Sequence, residues 1–217
     1  MLMATFPPAT QPEKLIFLPG AAGKTEVWEP LARGLSHAGT RHFVSWPGFG
    51  GAPADDSVNG LDDLVRRVTA ELTEPAVLFG QSMGGVIAVR AAASTGARLR
   101  GLVLSVTSGG IDVAGLGAVD WRPQFARENP GTPRWFLDAR DDVSELLRRI
   151  TLPTLLLWGD ADAISPVPVG RRLAELLPNA ELVVIAGGGH DLVNTHALEV
   201  FPHVERHLRK AAAFAPR

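Results

Sequence analysis

Short apolar runs alternate with amphipathic segments along most of this chain. Turn-forming residues, chiefly Gly and Pro, border the apolar runs, and this pattern predicts buried strands. The six predicted strands cover residues 15–18, 42–46, 76–79, 102–106, 154–158 and 182–185. Between them, apolar residues recur at helical spacing and predict covering helices. Those segments are 27–35, 61–72, 86–93 and 173–177.

This alternation predicts an α/β fold in which a mostly parallel, twisted sheet of about six strands carries helices on both faces. Ligands of such sheets bind beyond the carboxyl ends of the strands. One interval, 107–149, breaks the alternation with several Gly and Pro residues before a predicted helix over 134–149. We interpret this interval as a short lid insertion within a single domain that spans residues 1–217.

Composition narrows the possible functions. The formal net charge is -2, so a global positive field for nucleic acid is absent. The 217 residues include 0 Cys, which excludes disulfides, thiolate metal sites and cysteine nucleophiles. Residues 1–12 do not resemble a secretory signal, and no run reaches the roughly 20 apolar residues that span a bilayer. We therefore expect a cytoplasmic protein without nucleic-acid or membrane partners, and the sequence leaves its oligomeric state open.

The strongest candidate for chemistry is Ser82, which follows a predicted strand and precedes a predicted helix. A nucleophile on such a sharp turn has strained backbone angles, and small residues two positions before and after it, here Gly80 and Gly84, leave it room. The helix that follows directs its N-terminus at the site, so the Met83 N–H is predicted to donate to a developing oxyanion.

The G-x-S-x-G pattern in this context resembles the nucleophile elbow of the α/β-hydrolase fold superfamily, and specifically its serine esterases. The resemblance extends over the chain from Lys14 onward, apart from the lid. It implies a triad in the order Ser, acid, His. The segment 159–166 is similar to the family's G-x-x-D-x-x-x-P pattern and places the acid at Asp162. Asp160 is the alternative acid, although its position at the strand end is also typical of an aspartate that caps a turn.

His190 is the predicted base because it follows the last predicted strand and three glycines, on a turn that can reach the serine. The imidazole accepts the serine proton, and the carboxylate orients the imidazole. We interpret the other histidines as surface or packing residues: His37, His42, His196, His203 and His207. His203 and His207 share a helical face, but a solvated face is favoured over a metal site because no third ligand is evident.

By the same resemblance, the loop after the first strand completes the oxyanion hole through the Ala21 N–H. Pro19 stands where many members of that family have histidine, and the backbone donors of the loop do not depend on this side chain. The nearby sequence Gly23-Lys24-Thr25 is similar to the end of a phosphate-binding loop. That motif needs a glycine five positions before Gly23, and Leu18 occupies the position, so we reject nucleotide hydrolysis.

Several residues are candidates for lining a substrate pocket. They are Gly20, Trp46, Trp121, Phe125, Trp135 and Phe136. Aromatic residues near a site favour an apolar acyl or alcohol group, although those of the lid are equally consistent with packing of the lid against the sheet. We predict a carboxylic ester hydrolase that acts on small or medium apolar esters through an acyl-enzyme.

The same triad also serves lactonases, thioesterases and hydrolases of carbon–carbon bonds, and these activities remain alternatives. A non-catalytic ligand-binding protein with this fold is a further alternative, disfavoured because all three triad residue types are present. The resemblance implies no metal and no organic cofactor.

Overall fold

A computed structural model describes residues 14–95, 98–140 and 142–214. Within them, six strands form one sheet in the order β2-β1-β3-β4-β5-β6, and every neighbouring pair is parallel. The predicted fold class is therefore confirmed. The strands are β1 (Lys14–Leu18), β2 (Thr40–Phe43), β3 (Ala76–Gln81), β4 (Leu99–Ser105), β5 (Thr154–Gly159) and β6 (Ala180–Ile185).

The helices lie on both faces of this sheet. They are α1 (Glu29–Gly34), preceded by a 3-10 turn at Thr25–Trp28, and α2 (Leu61–Ala70), α3 (Met83–Thr95), α4 (Arg122–Glu128), α5 (Arg134–Asp138), α6 (Ser144–Leu147), α7 (Val167–Leu176), α8 (Leu192–Thr195) and α9 (Ala197–Ala213). The apolar residues of α2, α3 and α7 form one core layer, and those of α1, α8 and α9 form the other.

The alternation of side chains along β1 explains the two layers. Ile16 and Leu18 belong to the first layer, whereas Leu15 and Phe17 belong to the second, because successive side chains of a strand point to opposite faces. All four are fully buried. A parallel strand with both faces covered needs such a continuous apolar run, which is why these strands were visible in the sequence.

Three sequence predictions about secondary structure and burial were wrong. The second strand ends at Phe43, before the predicted limit at Trp46, which lies in the following loop. The single helix predicted over 134–149 is two short helices, α5 and α6, and α4 was not predicted. Asp142 helps to separate α5 from α6, because its Oδ1 accepts hydrogen bonds from the Ser144 N–H (2.9 Å) and hydroxyl (2.5 Å) in place of a helical carbonyl.

The third error concerns the proposed solvated face of α9. His207 is only 4% exposed, and its Nε2 has no hydrogen-bond partner among the described residues. The ring packs against the backbone of Gly101 on β4, where a Cβ would lie 3.1 Å from Nε2. Burial lowers the pKa of His207 to about 4, with a further lowering by nearby Lys210. His203, one turn earlier, is partly exposed as predicted.

Among the described residues, no helix combines the length and apolar character needed to span a membrane.

Candidate active site

Ser82 lies between β3 and α3 in a left-handed backbone conformation, with φ of 52°. Such a φ is unfavourable for a residue with a side chain. The glycines on either side explain how the turn can form. A Cβ on Gly80 would lie 2.6 Å from the Gly84 carbonyl oxygen, and a Cβ on Gly84 would lie 2.7 Å from the Pro19 carbonyl oxygen. Both positions therefore require glycine.

The backbone of Ser82 is held by residues at the end of β4 and just beyond it. The Ser82 N–H donates to the Ser105 carbonyl over 3.0 Å, and the Thr107 hydroxyl donates to the Ser82 carbonyl over 2.6 Å. Val106, between these two partners, also has a positive φ, of 42°. A positive φ is rare for a β-branched residue and marks strain that the surrounding packing must maintain. The strained turn is thus supported by a second strained residue on the adjacent strand end.

The structure brings Ser82, His190 and Asp162 together. His190 Nε2 is 3.0 Å from Ser82 Oγ, and His190 Nδ1 is 2.8 Å from Asp162 Oδ2. The Asp162 side chain is 1% exposed, whereas the His190 side chain is 27% exposed. The three side chains form one hydrogen-bonded series that runs from a buried carboxylate to an accessible hydroxyl.

The two candidate acids have different partners. Asp162 Oδ1 accepts hydrogen bonds from the Ile164 N–H (2.8 Å) and the Ser165 N–H (3.2 Å), which leaves Oδ2 directed at His190. Asp160 is exposed, and its Oδ1 accepts a hydrogen bond from the Gly187 N–H over 2.7 Å. Asp160 therefore braces the loop that carries His190, while Asp162 contacts the imidazole itself.

Gln81 is a site residue that the sequence analysis missed. Its side chain is 7% exposed, and its Nε2 donates to the backbone carbonyl of His190 over 2.9 Å. Its Oε1 lies against Gly20, where a Cβ would collide with it. Gln81 thus joins the turn of Ser82 to the loop of His190 and to the first loop. The sequence carried no signal for this contact, since the hydrogen-bonded residues are 109 positions apart.

The first loop passes directly beside Ser82. A Cβ on Gly20 would lie 3.2 Å from Ser82 Cβ, and the Gly23 N–H donates to the Gly20 carbonyl over 3.0 Å. Ala21 lies in this turn and is buried, as is Met83 at the start of α3. The two predicted oxyanion donors thus belong to the two segments that flank Ser82, and their role stays a prediction.

The predicted pocket aromatics fall into two groups. Trp121, Phe125, Trp135 and Phe136 pack against one another, with ring centroids 5.5 to 6.3 Å apart. Phe49 joins this cluster through Trp135 and Phe136. Phe136 is buried, with 8% exposure, and packs the segment between β4 and β5. Trp121, Phe125 and Trp135 are partly exposed, so these three rings can also present surface to a ligand.

Trp46 was predicted to line the substrate pocket, and this prediction was wrong. Its side chain has 0% exposure, so it presents no surface to a ligand. The indole N–H instead donates to the Pro19 carbonyl over 2.8 Å.

The parallel sheet, the elbow and the Ser-His-Asp series together have the architecture of an α/β hydrolase. A model of the alpha/beta hydrolase family matches residues 15–149, and a model of the alpha/beta hydrolase fold matches residues 117–197. The first match covers more than half of the chain. The chain belongs to the alpha/beta hydrolase family.

Similar proteins include several named esterases. A pimeloyl-[acyl-carrier protein] methyl ester esterase of Stenotrophomonas maltophilia is 30% identical, over 86% of this chain and 89% of that protein. Its counterpart in Xanthomonas oryzae pv. oryzae is 27% identical, over 88% and 93%. Among solved structures, a thermophilic esterase from Thermogutta terrifontis aligns with a TM-score of 0.76 at 22% identity and covers 94% of this chain and 92% of its own.

Proposed function

We propose that this protein is a carboxylic ester hydrolase that uses Ser82 as its nucleophile, His190 as its base and Asp162 as the orienting acid. The observation that carries the proposal is the uninterrupted hydrogen-bonded series. Ser82 Oγ lies 3.0 Å from one ring nitrogen of His190, and Asp162 Oδ2 lies 2.8 Å from the other. These are hydrogen-bond distances, so no rearrangement is needed before proton transfer begins.

The first half of the reaction follows from this geometry. With its ring proton on Nδ1, donated to Asp162, His190 presents a free Nε2 lone pair to the Ser82 hydroxyl. Ser82 Oγ attacks the ester carbonyl carbon while its proton moves to Nε2. The tetrahedral intermediate then collapses, and Nε2–H returns the proton to the departing alkoxide. The products are an alcohol and an acyl group esterified to Ser82.

The second half repeats these steps with water. His190 Nε2 accepts a proton from water as its oxygen attacks the acyl carbon, and then protonates Ser82 Oγ as the carboxylic acid leaves. In both halves the oxygen of the tetrahedral intermediate carries negative charge. The Ala21 and Met83 N–H groups are the proposed donors to this oxygen, and Met83 has the additional advantage of lying at the first turn of α3.

The substrate that we propose is a small or medium apolar ester. In support, aromatic rings of the β4–β5 segment remain partly exposed after packing among themselves. We further propose that residues 107–149 act as a lid on a single domain.

The experiment compares hydrolysis of p-nitrophenyl acetate, butyrate and palmitate by the wild-type protein and by Ser82→Ala. The expected result is turnover of acetate and butyrate that Ser82→Ala loses by about 10⁴-fold or more. A preference for palmitate would contradict the proposed substrate size. Equal turnover by Ser82→Ala would contradict the proposed nucleophile.

A second substrate class comes from the relatives, which are named for methyl esters of a pimeloyl group on acyl-carrier protein. A methyl ester of an acyl group carried by such a protein is therefore a candidate here. Measuring kcat/KM for monomethyl pimelate thioesterified to an acyl-carrier protein, against p-nitrophenyl butyrate, separates the two classes. A lactone and a simple thioester in the same panel test the alternative uses of the triad.

A further inference from the structure

Two fully buried tryptophans donate to the carbonyls of consecutive residues at the start of the first loop. Trp28 Nε1 donates to the Leu18 carbonyl over 3.2 Å, and Trp46 Nε1 donates to the Pro19 carbonyl over 2.8 Å. Both side chains have 0% exposure. They approach from opposite sides of the sheet, since Trp28 belongs to the core layer of α1 and Trp46 to that of α3.

The two indole hydrogen bonds fix different parts of the backbone. Leu18 is the last residue of β1, where the sheet already fixes its backbone. Pro19 lies beyond the strand, and its carbonyl belongs to the peptide unit that leads into Gly20. The Pro19 ring has no N–H to donate to the loop. The indole N–H of Trp46 therefore fixes a peptide unit that β1 does not.

We propose that Trp46 is a positioning residue for the oxyanion hole, which it serves by fixing the Pro19–Gly20 peptide so that the next N–H, that of Ala21, is directed at the reacting carbonyl. This inference rests on the proposed function, in which the Ala21 N–H donates to the oxyanion.

Hydrogen bonds fix two consecutive peptide units before the Ala21 Cα. Trp46 fixes the first peptide unit through the Pro19 carbonyl. The next unit carries the Ala21 N–H, and its carbonyl, that of Gly20, accepts from the Gly23 N–H over 3.0 Å. Gly20 itself is confined between Gln81 and Ser82. With both peptide planes fixed, the Ala21 N–H needs no reorganisation when negative charge develops, and such preorganised donors contribute most to catalysis.

The loop of Trp46 supports the same turn at a second place. A Cβ on Gly23 would lie 2.7 Å from the backbone nitrogen of Gly50, which shows how closely the two loops approach. Phe49, beside Gly50, packs on Trp135 and Phe136. The loop that carries Trp46 therefore packs against the aromatic cluster through Phe49, and against the turn that contains Ala21 through Gly50.

The test compares Trp46→Phe with Trp28→Phe, because each removes one buried indole donor and keeps an aromatic ring. We expect similar losses of thermal stability in the two variants. For p-nitrophenyl butyrate, kcat of Trp46→Phe is expected to fall about 10-fold or more with KM within about twofold of wild type. For Trp28→Phe, kcat is expected to stay within about twofold.

A second readout follows the tetrahedral geometry directly. A simple alkylboronic acid adds to Ser82 Oγ and forms a tetrahedral adduct, so its affinity reports the oxyanion donors. Trp46→Phe is expected to weaken boronate binding by the same factor as kcat/KM, and Trp28→Phe is expected to leave it unchanged. Equal kcat and boronate affinity in the two variants would overturn the proposal.

If Trp46→Phe does not fold, 3-benzothienylalanine at position 46 keeps the shape of indole and replaces only its N–H, and the same expectations apply. Failure of the proposed function is distinguishable, because the wild-type protein would then show no Ser82-dependent ester hydrolysis at all.

Discussion

Gln81 and His190 are joined by a 2.9 Å hydrogen bond from the glutamine side chain to the histidine carbonyl. The bond links the residue before Ser82, the proposed nucleophile, to the backbone of His190, the proposed base. The position of the imidazole therefore depends on a buried amide as well as on Asp162. A general base must lie within hydrogen-bond reach of its proton, so a small displacement of the loop weakens catalysis.

Gln81→Met keeps the length of the side chain and removes this amide. We expect kcat for p-nitrophenyl butyrate to fall about 10-fold, because the loop of His190 loses its anchor to the elbow. Thr154→Val is the matched control, since it removes a buried side-chain hydrogen bond of 3.1 Å at the opposite end of the sheet. Both variants are expected to have a lower melting temperature than the wild type, but only Gln81→Met is expected to have a lower kcat. Unchanged kcat in Gln81→Met would show that Asp162 alone suffices to orient the base.

Asp162→Asn and Asp160→Asn separate the two candidate acids. Asn at position 162 cannot accept from His190 through a carboxylate and stabilises the wrong tautomer, so kcat is expected to fall about 10⁴-fold. Asn at position 160 keeps a side-chain oxygen for the Gly187 N–H, and kcat is expected to change by no more than about threefold. Steady-state kinetics at neutral pH measures both, and a larger effect at Asp160 would reassign the acid.

Because His207 is buried, we expect the free energy of unfolding to depend on pH. Its pKa is lowered to about 4 by burial, so the unfolded chain, with an ordinary histidine pKa near 6.5, binds the proton more readily. The contribution of neutral His207 to the free energy of unfolding is therefore fully present above about pH 6.5, and it is lost as the pH falls towards 4. The free energy of unfolding, measured with urea, is expected to be lower at pH 4.5 than at pH 7.0, with His207 accounting for about 2 kcal/mol of the difference.

His207→Leu removes the titrating group and is expected to flatten this dependence, whereas His203→Gln, on the same helix and partly exposed, is expected to leave it unchanged. The same pH dependence in wild type and His207→Leu would contradict the assignment to His207.

The sheet was predictable from the sequence because its strands are covered on both faces. Residues such as Ile16 and Leu102 therefore lie in uninterrupted apolar runs, and the order of strand and helix defines the fold class. Ser82 was predictable because the turn demands glycine at Gly80 and Gly84, where any side chain would meet backbone atoms. His190 follows a strand and three glycines, and this local context marked it as a candidate.

The errors share a different cause. The partners of Gln81 and Trp46 are distant in sequence, so no local pattern identified their hydrogen bonds. The burial of His207 depends on the absence of a side chain at Gly101 on another element. The helix predicted over 134–149 was interrupted in part by the side chain of Asp142, which competes for the N–H of Ser144. Tertiary and side-chain contacts of this kind override periodicity.

The most direct measurement of the central claim is covalent labelling of the wild-type protein with a fluorophosphonate, followed by peptide mass spectrometry. The account predicts one adduct, on Ser82, with loss of esterase activity in proportion to labelling and at least about a 10³-fold slower reaction in His190→Ala. An adduct on another residue, or labelling of Ser82 at the same rate without His190, would contradict it.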